Sequence, residues 1–170
     1  ILYATNGAVR LDSTNYLSLS TGIQPTTNMA VYQVAKFDGV SARRVMLGTV
    51  QTDYCTPFYA HTDNSTYINF GAATWSAQGA SITNNGIWML IASFRDSTSQ
   101  WMRVNGANVG NRIAATNVVS SFLSVGRIAS YHNANPAWFK ELVAYTNADC
   151  HSAANIAAKE AELNAKYSIW

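Results

Sequence analysis

The acids of this chain are few and widely spaced, and that limits its chemistry. Its 170 residues hold nine acidic side chains and three histidines, and the glutamates are Glu141, Glu160 and Glu162. Glycoside hydrolysis with retention needs two carboxyls about 5 Å apart, one as nucleophile and one as general acid. A strand supplies such a pair when acids stand two apart, because alternate residues share a face. No strand-like segment here carries two acids. Glu160 and Glu162 fall in a helix-like stretch, where a spacing of two points them apart, and Glu141 stands alone in FKELV. His61, His132 and His151 are isolated. Asp63 follows His61 by two, without a companion nucleophile, and no glycine-rich phosphate loop occurs. A Ser-His-Asp set drawn from distant positions is recognised by geometry and not by order, and nothing in the sequence supports one. The chain reads as a non-enzyme.

What it does hold is aromatic rings interleaved with amides. A Tyr or Trp ring suits the apolar face of a sugar, and nearby amides and carboxylates suit its hydroxyls. YCTPFYAHTDNSTY supplies Tyr54, Tyr59, His61, Asp63, Asn64 and Tyr67, and ATWSAQ supplies Trp75 and Gln78. RIASYHNANPAW supplies Arg127, Tyr131, His132, Asn133, Asn135 and Trp138. The last is the richest, a loop-like run with an aromatic, a His and two Asn in five residues before a Pro. The ligand-binding candidates are therefore Tyr131, His132, Asn133, Asn135, Trp138 and Arg127, followed by Tyr59, His61 and Trp75. The competing reading is structural, since Tyr and Trp in β proteins mostly pack cores and sheet faces and Asn and Pro in loops mostly make turns. Trp88 and Phe94 share a strand face and read as core. Trp101 reads as cover for an outer sheet face.

The elements that must position these residues are short strands. Residues 8–12 (AVRLD) and 16–20 (YLSLS) alternate around Ser13-Thr14-Asn15 and read as a hairpin. Residues 29–37, 44–48, 55–60 and 66–70 follow as strands, with Pro57 marking an edge or a bulge. Residues 75–85 read as a loop with a short strand near 80–82. Residues 87–95, 100–104 and 107–109 form a meander whose last turn is Asn105-Gly106, the pair that accepts positive φ at both positions of a type I′ turn. Residues 121–126 and 138–145 are the last strands. Many short strands with turn residues between them argue for a sandwich or jelly roll. Residues 149–167 switch to helical period, with Asp149 or Ser152 as N-cap. Ala153, Ile156, Glu160, Leu163 and Tyr167 share one face, broken by the charge at Glu160. Such a helix reads as a lid on a sheet edge or sandwich end. The whole chain, 1–170, reads as one domain without repeat or linker.

Composition narrows the partners. Charged residues are 12% of the chain and apolar residues 48%, with a net charge of +2, against a usual charged share of about a quarter. The basic residues are scattered, Arg43-Arg44 being the one adjacent pair, so no nucleic-acid footprint forms. The longest apolar run, residues 87–92, is too short to span a bilayer. The chain begins at Ile1, which reads as a processed or excised product with any targeting segment out of view. Cys55 and Cys150 form no metal or redox motif. They could pair in a secreted protein or stay as thiols.

Taken in order, these segments resemble bacterial and phage laminin G-like domains of the concanavalin A-like lectin/glucanase superfamily. AVRLDSTNYLSLS is similar to their opening hairpin, WMLIASFRDSTSQWMRVNGANVG to their central meander and FLSVGR to the strand after it. FKELVAYTNA with a helix ending in ELNAKYSI is similar to their close. The resemblance covers nearly the whole chain. It departs at Trp138, where a Gly is usual, and at Asp149-Cys150-His151-Ser152, where an apolar residue, a Ser and acids are usual. The resemblance implies an all-β, two-sheet antiparallel jelly-roll sandwich with one C-terminal α-helix. Members bind glycans or proteins, hydrolyse β-glucans or build cell and virion surfaces, and the fold alone does not choose. The glucanases carry Glu-x-Asp-x-x-Glu, which this chain lacks. Many members bind calcium through an Asp, a second side chain and carbonyls. Asp12, Asp38, Asp53, Asp63 and Asp96 are the loop candidates here, without a calcium-loop pattern, so no cofactor is expected and calcium is the one ion left open.

The expectation is a non-catalytic recognition module on a bacterial or phage surface, extracellular or on a virion, binding carbohydrate or a surface protein. The alternative is a virion decoration, tail or filament subunit that binds protein neighbours, with the apolar end Ile169-Trp170 as an anchor.

Overall fold

A computed structural model describes residues 3–5, 7–12, 15–24, 26–38, 44–45, 47–48, 56–60, 65–70, 76–80, 86–115, 121–128, 131–132 and 137–170. In chain order these form β1 (Tyr3–Thr5), β2 (Ala8–Leu11), β3 (Leu17–Ile23), β4 (Met29–Phe37), β5 (Arg44–Val45), β6 (Leu47–Gly48), β7 (Thr56–Ala60) and β8 (Ser65–Asn69). Then come β9 (Ser76–Ala80), β10 (Trp88–Arg95), β11 (Ser99–Val104), β12 (Ala107–Ala114), β13 (Phe122–Val125), β14 (Arg127–Ile128), β15 (Tyr131–His132), β16 (Ala137–Tyr145) and α1 (Ala153–Tyr167).

A seven-stranded sheet in the order β1-β2-β16-β4-β10-β11-β12 is the body of the molecule. Its pairings are antiparallel. Its central strands are apolar on both faces, so each face needs cover. On the inner face Met29, Val31, Ala35, Met89, Ile91 and Met102 pack with Leu47, Ile68, Phe122 and Val125 from β6, β8 and β13. Those strands belong to a three-stranded sheet (β3-β13-β6) and a four-stranded one (β5-β7-β8-β9), which together make the second layer. The sandwich with one C-terminal helix is as expected.

On the outer face Tyr32, Val34, Leu90, Ala92, Phe94 and Trp101 are covered by Cys150, Ile156 and Leu163. The helix therefore lies flat on the outer face and is not a lid on an edge or end. The reason is the period-two apolar set on β4 and β10, which would otherwise face water. Phe94 and Trp101 stack at 5.3 Å on this face, where Trp101 was expected. Glu160 is the break in the helix's apolar face, yet it is buried at 5% exposure. Arg103 of β11 grips it, Nε to Oε1 at 2.7 Å and Nη2 to Oε2 at 3.0 Å. Ser152 is the N-cap, its side chain accepting from Asn155 N. At the other end Asn164 Oδ1 accepts from the backbone N–H of both Ile169 and Trp170. Ile169 packs onto the outer-face core.

Two local expectations are corrected. β2 and β3 are not a hairpin: β2 pairs with β1 and β16, β3 pairs with β13, and the chain crosses between sheets at the Asp12–Asn15 turn. The real hairpin is β1–β2, in register Thr5↔Ala8 with Gly7 at φ 71°. Residues 44–48 are not one strand, because β5 and β6 join different sheets. Of the short strand expected near 80–82, Ala80 ends β9, and residues 81–82 lie outside the described residues. Pro57 does sit in a bulge, where the β7–β8 register shifts between Thr56 and Tyr59. The Asn105-Gly106 turn has positive φ at both residues, 49° and 76°. Asn105 also ties the turn to β10, its N–H donating to Leu90 O and its Oδ1 accepting from Leu90 N, both at 2.9 Å.

Candidate functional site on the outer face

Beyond the C-terminal end of α1 the outer face of the sheet carries lone cations in otherwise apolar strands. Register brings them to the two indoles. Arg10 on β2 lies opposite Trp138 on β16, Trp138 opposite Lys36 on β4, and Lys36 opposite Trp88 on β10. The result is a ladder of cation, indole, cation, indole across four strands. Lys36 Nζ lies 5.2 Å from the Trp138 ring centre and 5.7 Å from that of Trp88, and the Arg10 guanidinium lies 5.9 Å from Trp138. All are within reach of a cation–π contact.

A bulge in β16 adds the next members. The register with β4 shifts between Phe139 and Glu141, so Lys140 and Glu141 both serve the outer face. Lys140 Nζ reaches the Trp88 ring at 4.3 Å and Tyr167 at 5.3 Å. Glu141 Oε2 accepts from Lys166 Nζ at 2.7 Å and Tyr167 OH at 2.6 Å. These two bonds hold the Glu141 carboxyl below its usual range, against the opposing effect of burial. Trp138 Nε1 donates to Asp38 Oδ2 at 2.8 Å, which fixes the indole's tilt. Arg10 pairs with Asp12 at 3.1 Å. Among the described residues no carboxylate pairs with Lys36 or Lys140. The partly exposed indole edges and these two ammonium groups form an apolar, positively charged strip.

At the N-terminal end of α1 the same face opens into a cleft of about 370 Å³, lined by Tyr32, Tyr145, Asn147, Asn155, Lys159 and Glu162, with Cys150 and Ala158. Tyr32 is buried and sets its ring edge-on to Tyr145, 6.1 Å away. Burial, with Glu160 nearby, pushes the Tyr32 phenol well above the usual tyrosine range, so it stays protonated. Lys159 donates to Glu162 at 2.7 Å. Burial lowers its basicity, but bonds to Glu162 and Tyr145 outweigh that and raise it. Cys150 carries a free buried thiol, raised by desolvation.

The expected site residues scatter against this geometry. Trp138 is central to the ladder. Arg127 pairs with His132, and Tyr131 with Ile128, across the two-stranded β14–β15 ladder, so Tyr131 and His132 stand in a strand where a loop was expected. Tyr59 lies on β7 opposite Val45 and Tyr67. Asn133, Asn135, His61 and Trp75 lie outside the described residues, as do Asp53, Asp63 and Cys55. Asp96 is a turn former, its Oδ1 accepting from the N–H of Thr98 and Ser99. Among the described residues no group of three His, Cys, Asp or Glu could hold a metal ion. The sequence reading missed Lys36, Trp88 and Lys140 as a unit. Their signal was a lysine within an apolar strand run, two residues from Val34 or Trp138 on the face that turned outward.

No family model matches the chain, and no curated protein matches it in sequence. Solved structures do match. The botulinum neurotoxin serotype D binding domain aligns at a TM-score of 0.61 and 9% identity, over 93% of this chain and 44% of that one. Trypanosoma rangeli sialidase in complex with sialic acid aligns at 0.62 and 8% identity, over 98% of this chain and 29% of that one. A further Trypanosoma rangeli sialidase structure aligns at 0.59 and 7%, over 85% and 26%. This chain spans less than half the length of these proteins. At such identities the likeness is one of fold, and it defines the chain as a β-sandwich module.

Proposed function

We propose that this chain is a non-catalytic recognition module of laminin G-like type that binds acidic glycans on the Arg10–Trp138–Lys36–Trp88 ladder. The observation that carries the reading is the in-register alternation of cations and partly exposed indoles on one sheet face. The indole edges offer an apolar floor for a sugar's carbon face. Lys36 and Lys140 offer donors to a carboxylate or sulfate. The fold shared with a toxin binding domain supports a binding role, and a sialidase that shares the fold over 29% of its chain was solved with an acidic sugar, sialic acid. The module needs no resident cofactor in this reading and acts outside the cell or on a virion.

The test is a glycan array on the whole chain, with and without added calcium, beside Trp138→Ala and Lys36→Ala. Acidic glycans should bind, more weakly as salt rises, because exposed charges are screened. Each variant should lose most of that binding while remaining folded. Binding that both variants keep would move the site to the β14–β15 segment, with Tyr131→Ala and His132→Ala the next variants. A second reading, assembly onto a protein neighbour, is favoured by the exposure of Trp170 at 52% and Ile87 at 55%. It takes over if a folded protein is silent across the array.

A further inference from the structure

The cleft at the N-terminal end of α1 differs from the ladder in each respect that matters for a ligand. It is concave, with a volume of about 370 Å³, inside the roughly 300–1,000 Å³ range of small-molecule sites. Its one cation, Lys159, is answered by Glu162, so it offers no net charge. Its aromatic wall, Tyr145, is 37% exposed. Its deepest polar group is the Tyr32 phenol, on a residue 1% exposed, and no hydrogen-bond partner holds that phenol among the described residues. Asn155 spends its Nδ2 on Asp149 O at 2.8 Å, which leaves its Oδ1 to accept. Asn147 takes part through its backbone oxygen, which accepts from Cys150 N, and its carboxamide is uncommitted among the described residues.

From these we infer that the cleft is a second ligand site, separate from the ladder, and that it takes a neutral saccharide unit. A sugar hydroxyl both donates and accepts, which suits a protonated phenol, a carboxamide and an ion pair with outward lone pairs and protons. A pyranose also presents an apolar face, which suits the exposed ring of Tyr145. A charged ligand would leave one member of the Lys159–Glu162 pair opposed to it. A purely apolar ligand would strip water from the Tyr32 phenol and the amides without replacing it, which is unfavourable. A hydroxylated, uncharged ring satisfies both constraints. The position is also suitable: the floor belongs to the sheet through Tyr32, one wall to β16 through Tyr145 and the other to α1 through Asn155, Lys159 and Glu162.

The experiment is an NMR titration of the whole chain with methyl glucoside, N-acetylglucosamine and glucuronic acid. It is repeated on Tyr145→Ala, Asn147→Ala and Trp138→Ala. At least one neutral sugar should shift the amides of Tyr145, Asn147, Asn155 and Lys159 in a saturable way. Tyr145→Ala should weaken that binding about tenfold, the loss of one ring's contact. Asn147→Ala, at an exposed position, should weaken it without touching the fold. Trp138→Ala should leave it unchanged, which separates this site from the ladder whatever the array gives. The inference is overturned if no neutral sugar shifts these amides, if glucuronic acid binds there more tightly than the neutral sugars, or if Trp138→Ala abolishes the shifts.

Discussion

The two ends of α1 rest on one sheet face and are built in opposite ways. At the C-terminal end the strands run on past the helix, and their side chains meet each other: Arg10, Trp138, Lys36, Trp88 and Lys140 lie ring against cation along the surface. At the N-terminal end Tyr32 and Tyr145 of the sheet and Asn155, Lys159 and Glu162 of the helix bound a cavity. The ladder is thus a charged strip read by whatever lies along it, and the cleft is a neutral socket read by whatever enters it. Cross-strand register makes the first, because residues directly opposite are neighbours by construction. Helix placement makes the second, because the void exists only while α1 stays docked. The ladder should therefore survive disturbances of the helix that empty the cleft of meaning.

The strongest way to break that contrast is to undock the helix. Glu160 is buried and its carboxylate is held by both ends of the Arg103 guanidinium, which also donates to Gly106 O and to Asn108 Oδ1. Its bond to Glu160 is the main reason Arg103 binds its proton more tightly than usual. Arg103→Ala strands a buried carboxylate, so it should cost about 3 kcal/mol of unfolding free energy in a urea melt. A double variant, Arg103→Leu with Glu160→Leu, should recover most of that loss, since an apolar pair of similar size often replaces a buried ion pair at little cost. Under partly destabilising conditions Arg103→Ala should lose neutral-sugar binding in the cleft before acidic-glycan binding on the strands. Simultaneous loss of both would show that the ladder too depends on the helix.

A milder change touches the C-terminal end alone. Gly106 sits at φ 76°, and a Cβ there would lie 3.5 Å from the Trp170 ring, an ordinary contact. The strain of Gly106→Ala is thus backbone strain, about 1 kcal/mol for an L-residue held left-handed. The melt should shift by that amount and Trp170 fluorescence should change, while the amides of Tyr145 and Asn155 stay in place. Movement in the cleft would mean that the helix transmits the strain along its length.

The layers were legible in the sequence, and the reasons are local. Met29–Phe37 and Trp88–Arg95 are apolar runs of strand length, and Asn105-Gly106 fixes its own turn. Ser152 was one of two proposed caps and is the one used. The pairing of strands was less legible. Alternation in residues 8–12 and 16–20 is compatible with a hairpin or with a crossing between sheets, and the chain crosses. Glu160 looked like a flaw in the helix because its partner Arg103 is 57 residues away. The ladder was hidden for the same reason. Trp138 carries its own signal as a ring near a polar loop, but Lys36 and Trp88 join it only through a register that no single segment contains. The cleft had no signal at all, because a void is a property of how α1 stands on the sheet.

The smallest effect separates the two ends by pH. Lys166 and Tyr167 hydrogen-bond the Glu141 carboxylate and lower its pKa in the folded protein, burial acting in the opposite sense. A lowered carboxyl favours folding above the usual glutamate value of about 4.3. That contribution is lost as pH falls through the lower folded value. Burial and the bond to Glu141 raise the Tyr167 phenol, so its contribution is present below about pH 10 and fades as pH rises through the folded value. At the cleft Lys159 is likewise raised, so its contribution is present below the usual lysine value and is lost as pH rises through the folded one. Acid should therefore loosen the ladder end through Glu141, whereas alkali should loosen both ends. Asp96 adds to the acid response from the β10–β11 turn: burial works against its lowered pKa, and the Thr98 and Ser99 bonds override it. Glu141→Gln should accordingly flatten, without abolishing, the fall in stability below about pH 4. It should reduce stability only slightly at neutral pH, as exposed pairs contribute little. In an acid titration followed by NMR, the Tyr167 ring should respond before the Tyr145 ring. The reverse order would place the weaker attachment of α1 at the cleft.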